Sequence, residues 1–367
     1  MIKGNSLAIL ISSLLIPVAS HAALIYDNDG NKLSLYGKVR AEHYISKSAD
    51  NDGDQSYVRF GFKGRTKIND WLQGYGQWEY EADSSVAESE GTDNDKTRLG
   101  FAGLKAKKWG SIDYGRNYGA TYDIEAWTDV FPEFGGDGYV KKDQFMTKRA
   151  NGLLTWRNND FFDLIDGLDV ALQYQGKNEN DDRKEKTTNG DGYAASARYL
   201  IGGGVSVGAA YASSDRTLAQ KEEDLGSGDR ATTRTVGIQY DANQIYLAAT
   251  FAQTRNTIPL TVPKGVSSLS KKKVTGYARK TQTMELAAQY QFDSGFAPSL
   301  GYVYTRAENI EGVGDADLVN YIDVAFTWYF NKNMSLFTDY EINRLSSDNK
   351  LQLDSDNILA VGMTYKF

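Results

Sequence analysis

The feature that most restricts the fold of this chain is an alternation of apolar and polar residues with a period of two. In residues 72–81, Trp78 and Tyr80 share one face of an extended strand, whereas Glu79 and Glu81 share the other. Segments of about ten residues match the length of a tilted strand that crosses a bilayer. The pattern therefore predicts long strands rather than helices, and it recurs in residues 55–64, 167–177 and 334–343.

The connections between these segments alternate between short and long, which is typical of transmembrane barrels. The short turns are residues 67–70, 105–109, 158–166, 202–204, 241–243, 293–295 and 331–333. The long loops lie near residues 47–54, 82–95, 117–149, 178–190, 214–230, 255–279, 307–316 and 344–355. Seven turns and eight loops join sixteen strands, with both chain ends on the short-turn side. We therefore predict an all-β fold, a sixteen-stranded antiparallel transmembrane β-barrel.

The last strand gives the clearest evidence of closure. One of its faces is apolar and ends on the terminal aromatic residue: Leu359, Val361, Met363, Tyr365 and Phe367. The first strand has a matching division, with Leu33, Leu35 and Val39 predicted to face outward and Lys38, Arg40 and Glu42 inward. Because lipid cannot satisfy the free hydrogen-bonding groups of an open sheet edge, these two strands are expected to pair.

The first 22 residues have the composition of a secretory signal peptide for Sec-dependent export. Lys3 supplies the positive start, residues 7–18 form the apolar run, and Ser20-His21-Ala22 is a cleavage site with small residues. The apolar run is too short for a membrane-spanning helix. We predict that residues 1–22 are removed and that residues 23–367 form one barrel domain.

The composition excludes several classes of function. The chain has no Cys, a net charge of −7 and two His, so only His43 remains after cleavage. An acidic balance argues against a nucleic-acid partner. A hydrolase in the barrel would need a histidine base oriented by a third group, and no serine motif lies beside His43. We therefore expect no enzyme activity, no cofactor and no metal.

Aromatic residues are abundant, with 24 Tyr, while Pro is scarce, with 5. This balance suits many strands with aromatic girdles at the membrane interfaces. The sequence predicts girdle positions near strand ends for Trp71, Trp78, Tyr80, Trp328 and Tyr329.

The longest connection, residues 118–149, is too long for an ordinary loop. Aromatic residues are spaced along it, which argues against disorder because each needs a surface to pack on: Tyr122, Trp127, Phe131, Phe134, Tyr139 and Phe145. We predict that this third loop folds into the barrel interior and narrows it.

Taken together, several short sequence motifs resemble those of the general-diffusion porins of enteric bacteria, and they are spread along nearly the whole chain. They include residues 74–80 (GYGQWEY), 113–119 (DYGRNYG), 132–137 (PEFGGD) and 329–335 (YFNKNMS). The resemblance implies a homotrimer in the outer membrane of a Gram-negative bacterium, surrounded by lipid and lipopolysaccharide. It also implies water-filled channels for passive diffusion of ions and small hydrophilic solutes, with the loop at 82–95 reaching a neighbouring subunit.

The resemblance also implies a charged constriction. Its basic side maps onto Lys38, Arg59, Lys96, Arg98 and Arg149, and its acidic side onto Asp129 and Glu133 of the third loop. Strand parity independently places Lys38, Arg59 and Arg98 on the lumen face. Opposed walls of opposite charge would set a field across the opening, which low-dielectric surroundings focus.

Within the family, residues 145–149 (FMTKR) resemble the phosphate-limitation porin, where a lysine at the place of Lys148 is associated with anion preference. An anion- or phosphate-preferring porin is therefore the alternative function. A substrate-specific channel and a barrel with a plugged lumen also stay open on the sequence alone. Outside the cell, Lys271-Lys272-Lys273 could pair with lipopolysaccharide phosphates.

Overall fold

The computed structural model describes residues 23–91, 94–139, 143–180 and 182–367, so the predicted signal peptide lies outside the described residues. The described strands are β1 (Ala23–Asn28), β2 (Asn31–Ser46), β3 (Gly53–Asp54), β4 (Tyr57–Lys67), β5 (Gln73–Asp83), β6 (Lys96–Ala106), β7 (Gly110–Tyr118), β8 (Arg149–Asn158), β9 (Leu168–Gln175), β10 (Gly192–Gly202), β11 (Val205–Asp215), β12 (Arg230–Ala242), β13 (Ile245–Arg255), β14 (Pro259–Val262), β15 (Val274–Tyr277), β16 (Lys280–Tyr290), β17 (Phe296–Ile310), β18 (Gly314–Tyr329), β19 (Met334–Asn343) and β20 (Ile358–Lys366). Short helices are Tyr122–Glu125, Asp160–Asp163 and Leu218–Glu222, with single 3-10 turns at Ala49–Asn51, Glu88–Glu90, Lys107–Trp109 and Glu185–Thr187. Within these described ranges, each helix falls short of the length and apolarity that a membrane crossing requires.

Sixteen of these strands close into one antiparallel barrel: β2, β4–β13 and β16–β20. Each pairs with the next barrel strand along the chain, and β20 returns to pair with β2. In that closing pair Lys38 lies opposite Lys366 and Ser46 lies opposite Ile358. The predicted strand number and the predicted closure are both confirmed.

The remaining strands lie at the barrel ends. β1 pairs with the start of β2, next to the stretch of β2 that pairs with β20, so it extends the line of the last strand. β3 adds two residues to the outer end of β2. β14 and β15 form a separate hairpin within residues 255–279, which the sequence predicted only as a long loop. This hairpin packs through Leu260, Val262 and Val274 on apolar residues of neighbouring loops.

The two faces of the sheet are as different as the alternation predicts. On β20, Val361, Met363 and Tyr365 are 38%, 46% and 50% exposed on the outside, whereas Ala360 and Thr364 are 0% and 5% exposed inside. An outward apolar face and an inward polar face are what a barrel in lipid requires.

The aromatic girdle is confirmed in part. Trp71 and Trp328 are exposed, and Trp78 and Tyr80 stack on the outer face with ring centroids 5.7 Å apart. Tyr329, however, lines a cavity inside the barrel. Its assignment to the girdle is wrong, because neighbouring residues of a strand point to opposite faces and Trp328 takes the outer one.

The connection between β7 and β8, here called loop 3, turns into the barrel as predicted. Ile124 and Trp127 are buried against Ala210, Ala248 and Ala287 on the lumen faces of β11, β13 and β16. These faces, together with that of β12, are called the packed wall below. Glycines give the loop room there, since a Cβ on Gly208 would lie 2.3 Å from Cδ1 of Ile124.

Candidate functional site

Loop 3 is fixed across the lumen by hydrogen bonds from its backbone. The amides of Glu133 and Phe134 donate to Asp339 on β19, at 2.9 and 3.1 Å. The amide of Gly138 donates to Glu285 on β16 at 3.0 Å, and the Thr128 hydroxyl donates to the same carboxylate at 2.7 Å. Loop backbone has no ladder partners, so these strand side chains decide where the loop lies.

The acidic residues predicted on loop 3 both meet cations. Glu133 forms an ion pair with Arg40 on β2, with 2.6 Å between Oε2 and Nη2, and it accepts a hydrogen bond from the Tyr44 hydroxyl. Asp129 pairs with Lys148 at 3.0 Å and accepts a hydrogen bond from Tyr122. The structure therefore joins two predicted site residues of loop 3, Lys148 and Asp129, in one ion pair.

Four of the predicted basic residues lie on β2, β4 and β6: Lys38, Arg59, Lys96 and Arg98. β2 pairs directly with β4, and β5 lies between β4 and β6. β5 supplies the acidic residues that pair with the basic residues of β4 and β6. Glu81 accepts from Arg59 Nε at 2.8 Å, from Lys96 at 2.8 Å and from Arg98 at 3.0 Å. The lumen-facing charged residues of β2, β4, β5 and β6 are called the charged wall below.

Sequence reasoning missed two acids of this wall. It assigned Glu79 and Glu81 to one strand face but considered only acids of loop 3 as partners for the cations. Glu79 accepts from Arg98 at 2.7 Å. The missed signal was parity, since Glu79 and Glu81 alternate with the outward Trp78 and Tyr80 just as Arg59 alternates with Phe60.

Arg40 was also missed as a site residue, although parity had placed it inward. Its Nη2 donates to the Pro132 carbonyl at 2.6 Å, and its Nε donates to Glu42 at 2.6 Å. Together with the ion pair to Glu133, these contacts join β2 directly to loop 3. A guanidinium can serve three acceptors at once because its donors form a planar fork.

Arg149 begins β8 beside Lys148, and both cations lie on aromatic rings. The Arg149 guanidinium is 5.7 Å from the ring centroid of Tyr118, and the Lys148 ammonium is 5.5 Å from that of Tyr122. The two tyrosine rings stack with centroids 4.8 Å apart. Cations on aromatic faces keep a defined position, so this stack orients the basic end of loop 3.

Behind the opening, one carboxylate of loop 3 is enclosed. Glu125 is fully buried and accepts a hydrogen bond from the Thr235 hydroxyl at 3.0 Å. Burial raises the pKa of the Glu125 carboxyl well above its usual range. Burial, followed by the charge of Asp129, likewise raises the pKa of Tyr122.

Comparison with known proteins agrees with this geometry. The family model described as Gram-negative porin matches residues 28–367. The chain is 56% identical to the outer membrane porin PhoE of Escherichia coli (strain K12) over the full length of both chains. It is 54% identical to outer membrane protein F of Serratia marcescens, again over the full length of both.

A solved structure, that of Salmonella typhi OmpF in complex with daunomycin, matches with a TM-score of 0.85 and 45% identity, covering 93% of this chain and 99% of that one. An anion-selective porin from Comamonas acidovorans matches at 15% identity with a TM-score of 0.66, which shows a shared fold alone.

The chain belongs to the Gram-negative porin family. It is an outer-membrane general-diffusion porin, which forms a water-filled channel for passive diffusion of ions and small hydrophilic solutes. Proteins of this family are channels rather than enzymes.

Proposed function

We propose that the opening between loop 3 and the charged wall is the selectivity constriction of this channel. Its basic residues are Lys38, Arg59, Lys96, Arg98, Lys148 and Arg149, and its acidic residues are Asp129 and Glu133. The observation that carries the proposal is the fixation of loop 3 by Asp339 and Glu285, with Glu133 held against Arg40.

The charges of the opening explain a preference for polar solutes. The acidic loop and the cationic wall set a transverse field, and a polar solute can align its dipole with that field. An apolar solute must displace oriented water without replacing its hydrogen bonds. Pore diameter and lining charge together then set selectivity, and passage needs no tight binding.

The charge of Lys148 decides between weak and marked anion preference. Lys148 neutralises Asp129, one of the two acidic residues of the proposed constriction. In planar bilayers with a salt gradient, Lys148→Glu is expected to shift the reversal potential towards cation preference. Lys332→Glu, which changes an exposed residue of a short turn by the same charge, is the matched control.

An unchanged reversal potential in Lys148→Glu would remove Lys148 from the constriction. The same recordings test the other functions that the sequence left open. A steady ohmic current supports an open pore, a current that saturates with one solute would indicate a substrate-specific channel, and no current would indicate a plugged barrel.

The assembly follows from family membership. We infer that the barrel forms a homotrimer, with the loop around residues 82–95 reaching a neighbouring subunit. Cross-linking of the purified protein, read by mass, is expected to give trimers. A species that stays monomeric in bilayer-mimicking detergent would contradict this inference.

Lipopolysaccharide is the proposed partner outside the cell. Lys271, Lys272 and Lys273 are exposed in the connection between β14 and β15, where ammonium groups can meet lipid phosphates. Replacing the three with Gln is expected to lower the amount of co-purified lipopolysaccharide. Equal amounts in both proteins would leave these lysines as solvated loop residues.

We also infer that residues 1–22 are a signal peptide. Intact mass of the protein extracted from outer membranes is expected to correspond to a chain that starts at Ala23. A mass that includes residues 1–22 would refute the cleavage site.

A further inference from the structure

Cross-strand pairing places a row of charged residues along the charged wall. Lys366 on β20 lies opposite Lys38, and Lys38 lies opposite Arg59 on the other side of β2. Arg59 in turn lies opposite Glu81, and Glu81 opposite Lys96. Three cations therefore occur in succession before the first acid, and two of them are lysines on the closing strands.

The nearby acids are already occupied by other cations. Glu81 holds Arg59, Lys96 and Arg98. Glu133 holds Arg40. Among the residues that the structure describes, Lys38 and Lys366 have no ion-pair partner, and the contact of the Lys38 ammonium is with the Tyr57 ring, 4.9 Å from its centroid.

Like charges directly opposite one another on neighbouring strands are destabilising. An anion between the two ammonium groups would remove that repulsion. The side chains also face the space where an anion could lie, since Lys38 and Lys366 both line a cavity of about 380 Å³.

The cavity has the chemistry of an anion site. It lies between loop 3 and the short-turn end of the barrel, where Tyr329 and Gln244 form part of its lining. Ser335 and Thr364, which lie opposite each other on β19 and β20, add hydroxyl donors. Among the described lining residues the acidic one is Asp129, and its charge is neutralised by the ion pair with Lys148.

We propose that Lys38, which the constriction shares, forms with Lys366 a second anion-binding station, on the periplasmic side of the constriction, which takes oxyanions of the phosphate class in transit. The proposal rests on the proposed function, because an anion reaches this station through the constriction. Lys366, near the end of β20, becomes a residue that determines ion specificity.

The two stations act in series. Ions move through a pore when each site binds strongly enough to admit them and weakly enough to release them. A lysine pair open to a water-filled cavity meets both conditions, since solvent screens the charges while two ammonium groups favour a multiply charged oxyanion over chloride.

The first experiment measures reversal potentials in a salt gradient for the trimeric wild type, Lys366→Glu and Lys366→Gln. Lys366→Glu is expected to lower the anion-to-cation permeability ratio about threefold at ~0.1 M salt, where the Debye length is ~10 Å. Lys366→Gln is expected to give a smaller shift in the same direction, and it carries the test if the Glu variant fails to assemble. Lys332→Glu is the matched control at the same end of the barrel, exposed and outside the cavity.

The second experiment adds inorganic phosphate, or a phosphorylated sugar, to the short-turn side of the bilayer and follows the chloride current. Half-inhibition in Lys366→Gln is expected at a concentration several times that of the wild type. Inhibition by both probes indicates a site for the phosphate group itself, and inhibition by the sugar alone indicates that the station takes phosphorylated solutes.

The station is overturned if Lys366→Glu shifts the reversal potential no more than Lys332→Glu, or if neither phosphate nor the phosphorylated sugar inhibits the wild type more strongly than Lys366→Gln. Failure of the proposed function gives a different pattern. A shift in Lys366→Glu with none in Lys148→Glu refutes the role of Lys148 and leaves the station in place, and the converse result does the opposite.

Discussion

The two sides of the barrel interior are built on opposite principles. The charged wall presents guanidinium, ammonium and carboxylate groups to water, with Glu81 shared by three cations. The packed wall presents glycine, alanine and threonine, and loop 3 covers it: Ala210, Ala248 and Ala287 pack on Ile124 and Trp127. Loop 3 therefore fills the side of the lumen at the packed wall, and we propose that ions pass on the other side.

The difference shows what small inward residues mean in a wide barrel. A lumen face of large polar residues faces water, whereas a face of small residues leaves room for a segment of the chain. At Gly237, an added Cβ would lie 2.9 Å from Ile124 and 3.0 Å from Trp127. The packed wall thus sets how far loop 3 stands from the charged wall, and hence the width of the opening.

Removing the largest anchor of loop 3 should have the largest effect. Trp127 is 1% exposed, and its carbonyl accepts a hydrogen bond from Tyr246 at 2.6 Å. Trp127→Ala is expected to reduce stability by about 3–5 kcal/mol through the cavity it leaves. Loosening of loop 3 should also widen the distribution of single-channel conductances. Thermal unfolding and bilayer recording measure the two effects.

Trp71→Ala is the matched control, because Trp71 is 56% exposed in the short turn between β4 and β5. If Trp127→Ala costs no more stability than Trp71→Ala and leaves the conductance unchanged, loop 3 does not depend on the packed wall.

An intermediate effect is expected from pH at the contact between loop 3 and the packed wall. Because the pKa of the buried Glu125 is raised, its folded-state proton is held more tightly than in the unfolded chain. The stabilisation is complete below the ordinary pKa of a glutamate and is lost as pH rises through the raised pKa. Glu125→Gln removes this dependence, so its unfolding temperature should gain on the wild type as pH rises.

The measurement is the unfolding temperature of both proteins between about pH 4 and about pH 9, a range that spans the ordinary glutamate pKa. Glu222→Gln, at an exposed position between β11 and β12, should keep a constant difference from wild type. A constant difference for Glu125→Gln as well would show that its carboxyl titrates normally.

The smallest effect is expected on the charged wall. Glu81→Gln leaves Arg59, Lys96 and Arg98 without their shared carboxylate, so the opening gains one net positive charge. The anion-to-cation permeability ratio should rise about twofold at ~0.1 M salt, because the change lies within a Debye length of the conducting path.

Asp70→Asn, which removes the same charge from an exposed turn, should leave the ratio unchanged because surface pairs are screened. A ratio that moves equally in both variants would mean that net charge alone, and not the charged wall, sets ion preference.

The sequence predicted on which face of the sheet many site residues lie, but it predicted few of their ion-pair partners. Parity placed Lys38 and Arg59 on one face, and they lie opposite each other on β2 and β4, whereas Arg98 lies at a register shift of β6, where it meets Glu79 and Glu81. It could not show that Glu81 would hold three cations, because hydrogen-bond register brings those strands into line. Nor could it show that Arg40 meets Glu133, since the two residues are far apart in sequence and meet only after loop 3 turns inward.

By itself, the sequence determined the number of strands, the lipid and water faces, the closure of β20 on β2 and the inward fold of loop 3. Bilayer thickness and the two-residue period of a strand leave few other arrangements. Tertiary structure alone decided the β14–β15 hairpin and the meeting of Lys38 with Lys366. Those features depend on register and on contacts between distant segments, which local patterns do not encode.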